Sequence, residues 1–158
     1  YIEKFGGHSM AVGINVKKEN FEKFKKDFEE YAQNQGIRDI IPIVKIDEET
    51  SLKEINLQTV KDLGLLEPFG EANKVPIFLI RNLKIQSIRT LSEGKHLKLK
   101  LGQDSYIIDA IGFGIGEVAE NYLIGDKVDI VGSLEINSFN GMEQVQIVIK
   151  DMRRTTTV

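Results

Sequence analysis

The chain has 158 residues, 41% of them apolar, which is enough to bury a core, and a formal net charge of -3. It contains no cysteine and only two histidines, which excludes disulfides, thiolate metal sites and a histidine-rich metal centre. No apolar run could span a membrane and no secretory signal is visible, so we expect a cytoplasmic protein; because the first residue is Tyr, we also expect a fragment of a longer chain.

The charge is unevenly distributed along the chain. Residues 37–73 carry four basic and eight acidic side chains, whereas residues 74–158 carry eleven basic and ten acidic ones. The acidic total argues against a strongly basic nucleic-acid binder, but a local basic face in the C-terminal part is compatible with it.

The first 36 residues predict a short strand followed by an amphipathic helix. The apolar run after Gly6, Gly7 and His8 suits a strand. From Lys18 to Gln35, four aromatic residues recur at helical spacing on a charged background, and we interpret this stripe as core packing. The four residues are Phe21, Phe24, Phe28 and Tyr31.

The middle of the chain predicts an edge strand, a second helix and a rigid loop. Pro42 lies within the apolar segment Ile40–Asp47 and favours an edge strand there. Leu57–Leu65 has the spacing of a short helix, and the segment LEPFGEAN at residues 66–73 has the Pro and Gly residues of a fixed turn.

The stretch from His96 to Gly116 predicts an antiparallel hairpin with two different faces. Three leucines alternate with two lysines, a period of two that no amphipathic helix satisfies, and an apolar strand-like run, Tyr106–Phe113, follows a short polar link. The alternating residues are Leu97, Lys98, Leu99, Lys100 and Leu101.

Strands dominate the sequence from Pro76 onward. A long strand, Ile77–Leu91 with a bulge near Gln86–Arg89, precedes the hairpin, and a short helix at Gly116–Leu123 follows it. Two alternating segments then flank the turn signal Asn140-Gly141. The order of three strands, a short helix and two strands over about 75 residues matches the OB-fold, a five-stranded Greek-key barrel.

OB-folds bind oligonucleotides on the face of strands two and three and through the loops after strands one and four. Lys98 and Lys100 fall on that face, although an ordinary solvated strand face is the alternative. If Asp109 faces solvent, so does an apolar row on the same strand, which the 37–70 segment could cover. The two loops, residues 90–96 and 137–142, supply Lys95, His96, Asn137, Phe139 and Asn140. Phe139 either stacks on a base or packs against the barrel.

Three short motifs suggest a family. FGGH at residues 5–8, followed by MAVG at 10–13, resembles the GGH motif of the domain that follows the catalytic domain in DHH-superfamily phosphoesterases. LEPFGEAN at 66–73 resembles the segment that introduces the OB domain of RecJ-family single-strand-specific exonucleases, and KHLK at 95–98 resembles the start of its second strand. The chain therefore resembles the C-terminal half of this family from residue 1 to about residue 153.

The resemblance implies an α+β chain in three parts. Residues 1–36 would be the C-terminal part of a DHH-associated domain, residues 37–75 a connecting segment, and residues 76–154 a five-stranded OB-fold β-barrel. Gly6, Gly7 and His8 would then contact substrate, offering backbone N–H groups and an imidazole to a phosphate.

The resemblance also implies the parent's activity. The parent would be a Mn²⁺- or Mg²⁺-dependent exonuclease that degrades single-stranded DNA 5′ to 3′ in DNA repair and recombination. This chain would bind and orient the strand, with no catalytic residue, metal or cofactor of its own. Implied partners are single-stranded DNA, single-stranded-DNA-binding protein and other repair proteins, and no membrane.

Two alternatives stay open. The barrel could be a protein-docking or scaffolding module while missing domains contact DNA, a reading that the near-neutral charge of residues 74–158 favours. A free-standing OB protein is the other alternative, which the absence of an initial Met disfavours.

We predict that the purified 158-residue chain leaves single-stranded DNA intact in the presence of Mn²⁺ or Mg²⁺. Metal-assisted cleavage needs a set of carboxylate and imidazole ligands to fix the ions, and the DHH motifs that provide them in the resembled family are absent from this sequence. Gel analysis of an end-labelled oligonucleotide tests this expectation, and metal-dependent shortening that co-purifies with the chain would contradict it.

Overall fold

A computed structural model describes residues 1–8, 10–37, 43–139 and 141–156. The chain divides into two compact units, Tyr1–Val44 and Lys45–Val158. Its helices and strands, in chain order, are β1 Ile2–His8, β2 Ala11–Val16, α1 Phe21–Asn34, β3 Glu48–Thr50, α2 Leu57–Leu63, β4 Phe78–Leu91, β5 His96–Gln103, β6 Tyr106–Gly112, β7 Lys127–Phe139 and β8 Met142–Arg154. None of the helices in the described part of the chain combines the length and the apolar character that crossing a membrane requires.

The first unit contains the β1–β2 hairpin and α1. The two strands pair antiparallel from Ile2 opposite Val16 to His8 opposite Ala11, so the Gly-Gly-His segment lies at the end of a strand. The interpretation of the α1 aromatic stripe as core packing is wrong for three of its four residues. Phe21, Phe28 and Tyr31 are 51%, 58% and 62% exposed, because a unit of one helix and one hairpin has little surface with which to cover them.

The second unit is built on a closed five-stranded barrel, which confirms the predicted OB-fold. The strands follow the order β4-β5-β6-β8-β7, and β7 pairs back onto β4 to close the sheet. Neighbouring strands are antiparallel except β6 and β8, which are parallel. A 3-10 helix, Gly116–Asn121, lies where the sequence predicts a short helix between the third and fourth barrel strands.

The barrel core consists of aliphatic side chains from all five barrel strands. Leu97, Leu99 and Leu101 of β5 are at most 1% exposed, which confirms the predicted leucine face of the hairpin. Their neighbours in the core include Ile80, Leu83, Ile85, Ala110, Val128, Ile130, Ile147 and Ile149. The alternation of apolar and polar residues thus determines which side of β5 faces outward from the barrel.

Strand β4 changes partner along its length, and Asp129 holds the point of change. The first half of β4 pairs with β7 and the second half with β5, with a register irregularity between Ile80 and Leu83 where Asn82 has a φ of 57°. Asp129 Oδ1 accepts hydrogen bonds from the Asn82 backbone N–H at 3.1 Å and the Thr155 hydroxyl at 2.8 Å. The bulge predicted near Gln86 is also present, between Ile85 and Ser87.

The segment before β4 packs against the barrel. The edge strand predicted at Ile40–Asp47 is wrong for residues 43–47, and Pro42 lies outside the described residues. A three-residue strand forms instead at β3, because it can pair parallel with Phe78–Ile80 of β4. Leu52 then enters the core at 3% exposure, and its backbone N–H donates to the Gln103 side chain at 2.8 Å.

The second predicted helix is confirmed as α2. Asn56 and Thr59 form a reciprocal capping box at its N-terminus, which satisfies two backbone N–H groups that would otherwise lack partners. Val60 is buried, as its position on the inner face predicts. The helix contacts β7 and β8 of the barrel.

We predict that Leu99→Ala lowers the free energy of unfolding by about 2–5 kcal/mol, because it removes a fully enclosed side chain from the barrel centre. Urea unfolding followed by circular dichroism measures the change. Lys100→Ala, on the outer side of the same strand, is the matched control and should change stability by less than about 0.5 kcal/mol. Equal losses for both variants would contradict the assignment of the two faces.

We predict a pH-dependent contribution from Asp129. Burial raises the pKa of Asp129, but the hydrogen bonds that the carboxylate accepts, first that from the Asn82 N–H, outweigh burial and hold the pKa below its usual value of 3.8. A depressed folded-state pKa stabilises the fold above the unfolded-state value, and the contribution is lost as the pH falls through the folded-state pKa. Asp129→Asn should therefore cost about 1–3 kcal/mol near neutral pH.

The difference in free energy of unfolding between wild type and Asp129→Asn should become smaller when urea unfolding is repeated in acid. If this difference is the same in acid as near neutral pH, Asp129 contributes through packing and neutral hydrogen bonds alone.

Candidate nucleic-acid interface

Lys98 and Lys100, the two lysines predicted to contact nucleic acid, lie on the outer face of β4, β5 and β6. Lys98 lies opposite Arg89 of β4, and Lys100 lies opposite Ser87 of β4 and Asp109 of β6. These pairings bring cations from two strands and a carboxylate from a third onto one surface, because cross-strand partners share a face.

Lys98 is held inside a polar network instead of extending into solvent. Its Nζ lies 3.2 Å from Asp109 Oδ2 and donates to Gln146 Oε1 at 3.1 Å, and the side chain is only 13% exposed. Gln146, itself 8% exposed, donates in turn to the carboxylate of Glu135. Lys98 thus lies on the predicted outer face but is not solvated there, because β8 and β6 bring acceptors to it from distant parts of the sequence.

Lys100 and Arg89 are the accessible cations of this face. Both side chains are exposed, and neither forms an ion pair with another described residue. Together with Lys98 and Asp109 they line a groove of about 360 Å³, which also contacts Ser87 and Leu99. The sequence does not identify Arg89 as a candidate binding residue, because a bulge at Gln86–Arg89 leaves open which face of β4 carries its side chain.

A second groove of about 390 Å³ continues the first. The two share Lys100 and Asp109, and the second adds Tyr106 and Ile107 from β6 and Gln144 from β8. Tyr106 is 42% and Ile107 60% exposed, so an aromatic ring and an aliphatic side chain lie beside the accessible lysine. The sequence does not indicate that Tyr106 is accessible. In an alternating strand Tyr106 lies on the same side as Ile108 and Ala110, which are buried, so an inward side chain is expected.

The apolar row expected to face solvent together with Asp109 consists of Ile107, Ile111 and Phe113. Ile107 and Phe113 are exposed, whereas Ile111 is half-buried. Leu52, Ile55 and Leu57, from the segment expected to cover this row, line the second groove. They leave most of Ile107 in solvent.

The loop between β4 and β5 is fixed by its backbone. Ser92, Glu93 and Gly94 all have positive φ values, and the Lys95 carbonyl accepts from the Gly116 N–H at 3.1 Å. Gly116 packs so closely on this loop that a Cβ there would overlap the Gly94 carbonyl oxygen. The Lys95 side chain is exposed at the end of the groove face.

His96 has a structural partner. Its Nδ1 accepts from the Gly114 N–H at 3.0 Å, and its ring meets Phe113 edge-on with centroids 5.4 Å apart. Only Nε2 is left to donate to a ligand.

The loop predicted at residues 137–142 is mostly strand. Asn137 pairs with Gln144, and the β7–β8 ladder continues to Phe139 opposite Met142. Asn137 is exposed on β7. Asn140 and the side chain of Phe139 lie outside the described residues, so the stacking role of Phe139 stays a prediction.

Gly6, Gly7 and His8 belong to the first unit and lie in β1, not in a loop. Gly7 opposes Val12, and a Cβ at Gly7 would overlap the Ala11 carbonyl oxygen, so only glycine fits. The exposed His8 ring accepts from the Met10 N–H through Nδ1 at 3.2 Å. Its Nε2 therefore remains available, and a role in phosphate contact stays a prediction.

Residues 46–151 match the model of the RecJ OB domain family, which covers most of the chain. The chain belongs to the RecJ OB domain family. Single-stranded-DNA-specific exonuclease RecJ from Bacillus subtilis is 32% identical over 152 residues, which are 95% of this chain and 19% of that protein. RecJ from Haemophilus influenzae is 30% identical over 157 residues, 94% of this chain and 26% of that protein.

Solved structures agree with this membership. A crystal structure of RecJ from Thermus thermophilus in complex with Mn²⁺ superposes with a TM-score of 0.68 at 26% identity, over 99% of this chain and 22% of that chain. This RecJ OB domain chain thus spans about a fifth to a quarter of the RecJ proteins that it matches. Within its described residues no group of three or more His, Cys, Asp or Glu side chains could hold a metal ion, so this part of the chain does not fit the Mn²⁺ named for that relative.

Proposed function

We propose that the outer face of β4, β5 and β6 binds single-stranded DNA as part of a single-stranded-DNA-specific exonuclease. The joined grooves support this proposal, since they place accessible cations beside an exposed aromatic ring. Lys100 and Arg89 would contact phosphates, Tyr106 would stack on a base, and Lys95 would extend the contact at the loop.

This arrangement suits a strand that is recognised without regard to its sequence. Backbone contacts carry no base information, and a base of any kind presents a face on which Tyr106 can stack. Ile107 beside Tyr106 offers further apolar contact. Gly6, Gly7 and His8 of the first unit would contribute a separate phosphate contact in the parent protein, which would act 5′ to 3′ with Mn²⁺ or Mg²⁺ in DNA repair and recombination.

A protein-docking role is the second candidate, and an apolar groove lined by α2 favours it. The groove has a volume of about 370 Å³ and is bordered by Glu67 and Glu135. Its apolar residues are Val60, Leu63, Phe69, Val75, Pro76, Phe78, Leu134 and Ile136. Leu65, which follows the groove residue Gly64 in the sequence, is 83% exposed. Single-stranded-DNA-binding protein and other repair proteins are the partners that the family suggests.

We predict that Lys100→Ala weakens binding of this chain to a fluorescent single-stranded oligothymidylate and lowers the log–log salt slope by about 0.7, because one phosphate contact is lost. Fluorescence anisotropy at two salt concentrations measures both quantities. Lys150→Ala is the matched control, since Lys150 is exposed on β8 and lines neither groove. Equal effects of the two variants would mean that only net charge matters.

Tyr106→Ala should weaken binding by about 1–3 kcal/mol with little change in salt slope, because stacking releases few ions. Tyr106→Phe keeps the ring and should bind like wild type. If Lys100→Ala and Tyr106→Ala both leave affinity unchanged, DNA does not follow this face and the docking role takes its place.

A further inference from the structure

Asp109 occupies the point where the two grooves meet. Among the described residues that line the two grooves it is the only acidic one, and its side chain is 36% exposed. Phosphate is an anion, so a carboxylate at this point opposes the ligand that the surrounding cations attract. An acidic side chain there needs an explanation beyond solubility, because Lys100 and Arg89 already make the face polar.

The partner of Asp109 is the most enclosed cation of the face. Lys98 is 13% exposed, and its ammonium is shared between Asp109 Oδ2 at 3.2 Å and Gln146 Oε1 at 3.1 Å. A phosphate arriving in the groove therefore meets a lysine whose charge is already balanced. It gains the full attraction of Lys98 only if it takes the place of the Asp109 carboxylate.

We propose that Asp109 is an internal competitor for nucleic-acid phosphate, which masks Lys98 and keeps the binding face weak. This inference rests on the proposed function of the face. The remaining positive charge, on Lys100 and Arg89, attracts a strand, while Lys98 stays paired until a phosphate displaces Asp109. A strand that is shortened from one end has to move past its binding surface, and each contact that must break slows that movement.

The network behind Lys98 is built to hold this arrangement. Gln146 is 8% exposed and is oriented by its own hydrogen bond to Glu135, so its Oε1 faces the lysine. When Asp109 moves away, Gln146 still holds the Lys98 ammonium at the groove surface. The lysine then needs no rearrangement to meet a phosphate, and only the carboxylate changes partner.

The test is Asp109→Asn, which removes the charge and retains an oxygen acceptor for Lys98. We expect this variant to bind single-stranded oligothymidylate about 3- to 10-fold more tightly than wild type at low salt. We also expect a log–log salt slope that is larger by up to about 0.7. Glu120→Gln is the matched control, because Glu120 is exposed on the 3-10 helix, lines neither groove and undergoes the same change of charge. Its affinity should change less than about twofold, because salt screens exposed charges that are far from the ligand.

A double-mutant cycle separates masking of Lys98 from general repulsion. If Asp109 acts through Lys98, its replacement should give no gain in affinity in a Lys98→Ala background. A gain that persists in that background, or one that Glu120→Gln reproduces, would overturn the proposal. Asp109→Ser removes the same charge without a side-chain amide and must change affinity in the same direction, which guards against an effect peculiar to Asn.

Failure of this inference is distinguishable from failure of the proposed function. If Lys100→Ala weakens binding but Asp109→Asn does not strengthen it, the face binds DNA and Asp109 is no competitor. If the wild-type chain and all variants fail to bind, the proposed function fails and this inference with it.

Discussion

Closure of the barrel depends on the bend in β4, because this one strand has to pair with β7 along its first half and with β5 along its second. The bend takes the Asn82 N–H out of the ladder, and the carboxylate of Asp129 accepts it instead. A carboxylate that is 3% exposed is costly unless hydrogen bonds and cations surround it. Thr155 and Arg153, from the end of the chain, supply them, so the last residues help to hold the first barrel strand.

The same sheet decides how its charges act. A lysine on the outer side of β5 would be free in an isolated hairpin, but in the barrel it meets side chains from strands that follow much later in the chain. Lys98 forms an ion pair with Asp109 of β6 and a hydrogen bond with Gln146 of β8, whereas Lys100, two residues on, remains accessible. The number of lysines in the sequence therefore overstates the charge that a ligand would feel. A nearly balanced composition is compatible with a local track of positive charge only because the pairing is unequal.

Much of the barrel could be predicted from the sequence, because its signals are local. The alternation in β5, the helical spacing of α2 and the turn signal Asn140-Gly141 each act within a few residues of their own position. The interface was less predictable, since the surroundings of Lys98 and Tyr106 are set by residues far apart in the chain. The extent of β7 is hard to predict for the same reason, because Asn137 is a typical loop residue and its strand position depends on pairing with Gln144 of β8.

The contact between Gly116 and the loop after β4 has a consequence for recognition. Since a Cβ at Gly116 would overlap the Gly94 carbonyl oxygen, loop and helix contact each other through their main chains, and the hydrogen bond from the Gly116 N–H to the Lys95 carbonyl restrains the loop. A ligand that reaches Lys95 therefore finds its platform already ordered, and association there loses little conformational entropy. In the proposed complex with single-stranded DNA, adaptation to different strands would have to come from the nucleic acid, because the loop is already held by these main-chain contacts.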